Sequence, residues 1–137
     1  MTNDHASRPS FGTVAGAMAR AAGTRLHARY GTIDAATLDQ RLRAGDAFTI
    51  LDVRMDDAYE RGHIDGAVNV PFPTFEKHRG EIPGDLPIVV ACYGGVLSRT
   101  PAQQLAEDGH EVWNLEHGMR GWKQHRRRAA GDDPAPS

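Results

Sequence analysis

The chain holds a single cysteine, Cys92, in 137 residues. A lone thiol excludes a disulfide framework within the chain and a multi-cysteine metal site. It suits a reducing compartment, and a cytoplasmic location is expected. No apolar run approaches the roughly 18 residues of a membrane span, so no membrane partner is expected. Neither sign of charge dominates: the net charge is -2 and the pI about 6.4, which leaves no bulk electrostatic case for nucleic acid. The histidines, at positions 5, 27, 63, 78, 110, 117 and 125, include no close pair at metal-ligand spacing, so no metal or other cofactor is expected. The N-terminus lacks the continuous apolar core of a signal peptide, and no segment repeats. What is present, 39% hydrophobic and 25% charged residues, suits one folded domain of ordinary size.

The most informative stretch runs from Ile88 to Gly109. Ile88 to Ala91 is a short apolar run of the kind that forms a buried parallel strand. Cys92 follows, then a small-residue loop, Tyr93, Gly94, Gly95, Val96 and Leu97. Ser98 is a good N-cap, Pro101 is tolerable in a first helical turn, and Gly109 suits the position just past a helix. Cys92 is therefore expected at the carboxyl end of a strand, in a loop aimed at a helix N-terminus. Unpaired amides and the positive end of the helix dipole favour thiolate over thiol there, and the thiolate is the nucleophile. Gly94 and Gly95 let successive amides point inward as an anion-binding nest.

Around this stretch, strands alternate with helical segments. Thr32 and Ile33 are extended, and Asp34 caps a helix carrying Leu38 and Leu42 that ends near Gly45. Phe48 to Leu51 reads as a buried strand ending at Asp52, and Asp56 to Arg61 as a short helix. Ala67 to Val70 is a strand stopped by Pro71, and Thr74 to Arg79 one or two helical turns. Glu111 to Leu115 is a strand, and Gly118 to His125 a final helix with Trp122. Trp113 and Trp122 are expected in the core. The pattern predicts an α/β domain over residues 31–126, with a central, mainly parallel five-stranded sheet flanked by helices. In such sheets functional loops gather at the carboxyl ends of the strands, where both Asp52 and Cys92 fall. Residues 1–30 read as an N-terminal extension with a polar, disordered start. Phe11, Val14 and Met18 are spaced for one face of an accessory helix, packed on the domain or on a second subunit. From Arg126 on, and over residues 127–137 in particular, the chain reads as a solvated, flexible tail.

Four segments carry a family resemblance. They are Leu51-Asp52-Val53-Arg54 with Tyr59, the run from Gly62-His63-Ile64 to Asn69-Val70-Pro71, the loop Cys92 to Ser98, and Asn114-Leu115-Glu116-His117-Gly118 with Trp122. In this order and spacing, between Ile33 and Trp122, they resemble the motifs of single-domain rhodaneses, a sulfurtransferase family. The resemblance implies a rhodanese-like fold and a persulfide formed on Cys92. The sulfur comes from a small-molecule donor, thiosulfate or a persulfide. It passes to a thiophilic acceptor, cyanide or a thiol, with a thiol carrier protein among the candidate partners. Substrate binding then falls to Tyr93, Gly94, Gly95, Val96, Leu97, Ser98 and Arg99. Asp52 and Arg54 support the site, as a structural ion pair or as functional contacts. Tyr93 either walls the pocket or covers the loop, and His63 holds its turn by hydrogen bonds.

The sequence also departs from that family. Leu97 stands where many rhodaneses carry Arg, which puts the donor in question rather than the persulfide chemistry. Ala58 replaces a common Glu and leaves Arg54 without one familiar partner, for which Asp56, Asp57 or Glu60 could substitute. A phosphatase or arsenate reductase of related fold needs Cys-x5-Arg, but the sixth position here is Ser98 and Arg99 comes one residue late. A non-catalytic interaction or regulatory module is the other alternative. The oligomeric state is not legible.

Overall fold

The computed structural model describes residues 28–131. The N-terminal extension up to residue 27, with its expected accessory helix, and the tail from residue 132 lie outside the described residues. Strand β1 (Gly31–Ile33) leads into α1 (Ala35–Arg43), where the Asp34 carboxylate accepts from the Thr37 N–H at 2.8 Å and caps the first turn. Strand β2 (Thr49–Asp52), α2 (Asp56–Glu60) and β3 (Val68–Asn69) follow. Short 3-10 turns at Phe72–Thr74 and Arg79–Glu81 flank α3 (Phe75–His78). Strand β4 (Ile88–Ala91), α4 (Arg99–Glu107), β5 (Val112–Leu115) and α5 (Gly118–Ala129) complete the domain. Among the described residues no helix is long and apolar enough to cross a membrane.

The five strands form one sheet in the order β1-β5-β4-β2-β3, and every pairing is parallel. Strand β4 lies at its centre and alternates as a strand must. Ile88, Val90 and Cys92 face a cluster that includes Leu105, Ala102 and Phe75, while Val89 and Ala91 face one that includes Leu38, Met119 and Trp122. Strands β2 and β4 are neighbours whose following connections run opposite ways, to β3 and to β5. Ligand crevices of open α/β sheets form at such a switch point.

Three expectations need correction. The strand expected over Ala67 to Val70 shrinks to Val68–Asn69, because this edge strand has only β2 to pair with, through Leu51 and Asp52. Helix α5 runs past its expected end at His125 to Ala129, so the start of the expected tail is helical. Tertiary contacts hold that extra turn. His125 Nε2 lies 2.9 Å and Arg126 Nη1 3.4 Å from the Asp39 carboxylate on α1, and the Arg126 guanidinium sits 5.9 Å from the Trp122 ring centroid. Trp113, expected in the core, is only half-buried and covers Gly31 at the sheet edge.

Candidate active site

Strand β4 delivers Cys92 to the carboxyl edge of the sheet, where its side chain is 3% exposed. Among the described residues two polar groups lie within hydrogen-bond distance of the sulfur. The Gly95 N–H donates to Sγ at 3.1 Å, and Ser98 Oγ lies 3.2 Å away. Gly95 has φ of +90°, a conformation open to glycine, and a Cβ there would stand 2.9 Å from the His117 nitrogen. Among the described residues the N–H groups of Gly94, Val96 and Leu97 donate to no protein group, which leaves them to solvent or a ligand.

Ser98 occupies the N-cap position of α4, but its hydroxyl does not cap the helix. It turns inward instead, to Cys92 and to Asn114 Oδ1 at 2.5 Å. Asn114 in turn donates from Nδ2 to the Gly95 carbonyl at 3.0 Å. Both Ser98 and Asn114 are buried. Sequence reasoning did not single out Asn114. The available signal was a polar residue on the inward face of a buried strand, two residues after core Val112.

A second helix also aims at the loop. The first amides of α5 reach back, Met119 N–H to the Cys92 carbonyl at 2.8 Å and Arg120 N–H to the Tyr93 carbonyl at 2.9 Å. Gly118, at φ of +53°, makes this approach possible, because a Cβ there would overlap both carbonyl oxygens. The positive ends of α4 and α5 therefore converge on the cysteine loop, where the sequence pointed to α4 alone.

Asp52 and Arg54 lie beside this loop at the end of β2. Arg54 donates from Nη2 to Asp52 Oδ2 at 2.7 Å and from Nε to Oδ1 at 2.9 Å, and Nη2 also reaches the Gly62 carbonyl at 2.7 Å. Both side chains are buried. The partner of Arg54 is thus Asp52 rather than Asp56, Asp57 or Glu60; Asp57 pairs with Arg61 at 3.5 Å. Asn69 Nδ2 bolts the turn by donating to the Asp52 and Arg54 carbonyls, both at 2.9 Å. His63 belongs to the same turn. Its ring stacks on Tyr59, 3.7 Å between centroids, and its Nδ1 lies 2.8 Å from the Tyr59 carbonyl oxygen. The Tyr59 hydroxyl donates to the Ala67 carbonyl at 2.6 Å, and burial, then the negative charge of Asp52, hold it above the ordinary tyrosine value.

The rest of the loop faces outward. Tyr93 is 61% exposed, Val96 61% and Leu97 60%. With Met55 after β2 and Phe72 after β3, they are the exposed large hydrophobic residues of the described chain, and all follow the carboxyl ends of β2, β3 and β4. Arg99 opens α4 exposed and makes no ion pair among the described residues.

A five-stranded parallel sheet with a lone thiol held over its switch point by a glycine-rich loop defines a class. The sequence profile of the Rhodanese-like domain family matches residues 34–125, and the chain belongs to that family. The chain is 38% identical over 74 residues to the thiosulfate sulfurtransferase GlpE of Shewanella oneidensis, covering 53% of this chain and 73% of that protein. It is 39% identical over 93 residues to the HTH-type transcriptional regulator Rv0324 of Mycobacterium tuberculosis, covering 66% of this chain but only 41% of the regulator. Among solved structures, a rhodanese-related protein from Thermoplasma volcanium superposes with a TM-score of 0.65 at 26% identity, covering 70% of this chain and 93% of that one.

Proposed function

We propose that the chain is a cytoplasmic sulfurtransferase that carries a sulfane sulfur on Cys92. The thiolate attacks the outer sulfur of a donor. With thiosulfate, the S–S bond breaks, sulfite leaves with the bonding electron pair, and Cys92 becomes a persulfide anion. A thiophile, cyanide or a thiol such as that of a carrier protein, then attacks the outer sulfur and returns the Cys92 thiolate, a ping-pong scheme. The observation that carries this reading is the Gly95 N–H donating to Cys92 Sγ at 3.1 Å, in a loop onto which two helix N-termini converge. Donors aimed where negative charge develops stabilise both the thiolate and the persulfide. The loop residues from Tyr93 to Arg99 frame the donor, with open amides and Arg99 for an anion. Exposed Val96, Leu97, Tyr93, Met55 and Phe72 favour an uncharged persulfide or a partner with an apolar surface. Asp52 and Arg54 support the loop from the neighbouring strand.

Intact-mass measurement after incubation with thiosulfate or a low-molecular-weight persulfide tests the proposal. The protein should gain one sulfur atom and lose it on adding cyanide, and Cys92→Ser should gain none while keeping the wild-type circular dichroism. Equal sulfur transfer by Cys92→Ser would overturn the assignment. The relation to a transcriptional regulator favours a second reading, a regulatory module. A chain that accepts sulfur but passes it to no acceptor would fit that reading instead.

A further inference from the structure

We propose that Asn114 is a positioning residue that keeps the Ser98 hydroxyl proton off the Cys92 sulfur whenever that sulfur is protonated, so that Ser98 accepts from the thiol instead of donating to it. A hydroxyl carries one proton. Ser98 Oγ has two neighbours that could receive it, Asn114 Oδ1 at 2.5 Å and Cys92 Sγ at 3.2 Å. The bond from Asn114 Nδ2 to the Gly95 carbonyl, 3.0 Å long, decides between them. Turning the carboxamide over would set oxygen against oxygen at Gly95, so Oδ1 faces Ser98. That oxygen has no proton and takes the one Ser98 offers. Ser98 then presents a lone pair to the sulfur, and the S–H of Cys92 donates to it.

Cys92, Ser98 and Asn114 are exposed by 3%, 0% and 4%, so water does not compete for these bonds. One side chain on β5 thereby governs both groups that touch the sulfur. It directs Ser98 through Oδ1, and it fixes the Gly95 peptide, whose N–H faces the sulfur, through Nδ2. When the sulfur becomes an anion, the Ser98 proton must turn from Asn114 toward it. Asn114 makes that turn cost a short hydrogen bond. The assignment concerns the thiol proton, and it rests on the sulfurtransferase reading only for its consequence in turnover.

Cys92 is the only thiol, so the S–H stretching band in the infrared spectrum of the full chain belongs to it alone. In buffer acid enough to keep the thiol protonated, the wild-type band should lie below that of N-acetylcysteine, because its S–H donates. Ser98→Ala should move the band to the free-thiol position. Asn114→Ala should move it the same way, since the released hydroxyl turns to face the sulfur. Asn114→Asp in its protonated form, whose hydroxyl takes the place of Nδ2 toward the Gly95 carbonyl while its other oxygen faces Ser98, should keep the wild-type band and shows that the loop still folds. An unchanged band in either alanine variant overturns the proposal.

Iodoacetamide alkylation at pH 7 supplies a second readout that needs no sulfur donor. Asn114→Ala loosens the Gly95 amide but frees Ser98 to help the thiolate. It should therefore slow alkylation roughly tenfold more in a Ser98→Ala background than in the wild type, the worth of one hydrogen bond to a charged group. Equal slowing in the two backgrounds would mean that Asn114 acts on Gly95 alone and would overturn the role assigned to Ser98. A chain that gains no sulfur in the mass experiment would sink the sulfurtransferase reading and leave these two readouts standing.

Discussion

Two segments leave the carboxyl ends of adjacent strands, and they are built in opposite ways. The turn after β2 is held by side chains: Asp52 and Arg54 grip each other, and Gly62, Asn69, Tyr59 and Ala67 close the network around them. The loop after β4 is held through backbone groups, with amides and carbonyls bonded to sulfur, Asn114 and α5, and with apolar side chains pushed outward. The difference separates two uses of polar chemistry. In the turn, Arg54 directs Nε and Nη2 inward to the Asp52 carboxylate and the Gly62 carbonyl. In the loop, amides stay open and a ligand's charge can meet them. Four changes break or sharpen that contrast.

The largest effect should come from the turn. Asp52→Ala leaves the Arg54 guanidinium buried without its counter-ion, which costs about 3–5 kcal/mol. Urea unfolding should show the midpoint falling by that energy divided by an unchanged m-value. A loss below about 1 kcal/mol would mean that solvent reaches Arg54 and that the turn is not closed as described. Leu97→Arg addresses the loop. It adds a cation at an exposed position beside the open amides, so kcat/KM for thiosulfate should rise roughly tenfold while the melting temperature holds. An uncharged persulfide donor should gain much less. If thiosulfate kinetics do not change, Arg99→Ala in the same assay tells whether Arg99 already fills the role.

His117 immediately precedes α5 with φ 62° and ψ 8°, the one described non-glycine residue at positive φ. The left-handed conformation costs a residue with a Cβ about 1–2 kcal/mol. His117→Gly should therefore stabilise the protein by about 1 kcal/mol, read from the same urea curves. It should also make Gly121→Ala tolerable, because a Cβ at residue 121 would stand 2.8 Å from the His117 Cβ. The smallest effect belongs to Tyr59. Its folded value is raised, so its contribution is complete below the ordinary tyrosine value, about 10, and is lost as pH rises through the higher folded value. Urea midpoints above about pH 10 should fall in the wild type, and Tyr59→Phe should lack that alkaline step.

The contrast also explains what the sequence revealed. Strand and helix positions follow from local signals. The run of Ile88 to Ala91 and the Asp34 cap were legible because each depends on residues a few positions apart. Cys92 was legible as the end of a strand for the same reason. The misread residues depend on partners far along the chain. Ser98 looks like a cap until Asn114, 16 residues on, draws its hydroxyl inward. Arg126 looks like a solvated cation until Asp39, 87 residues back, pairs with it and extends α5. Arg54 was legible in part: an ion pair with Asp52, two residues away, was one expected alternative, and Asn69 on the edge strand holds the turn between them.

The loop is anchored at both ends, by the Arg120 amide on the Tyr93 carbonyl and by Asn114 on Ser98. Only Gly94, Gly95, Val96 and Leu97 lie between these anchors. A residue inserted after Gly95 would lengthen that arch without moving the Cys92 peptide, the start of α4 or any strand. The arch after Tyr93 is thus the stretch of the chain whose length is least tied to the sheet.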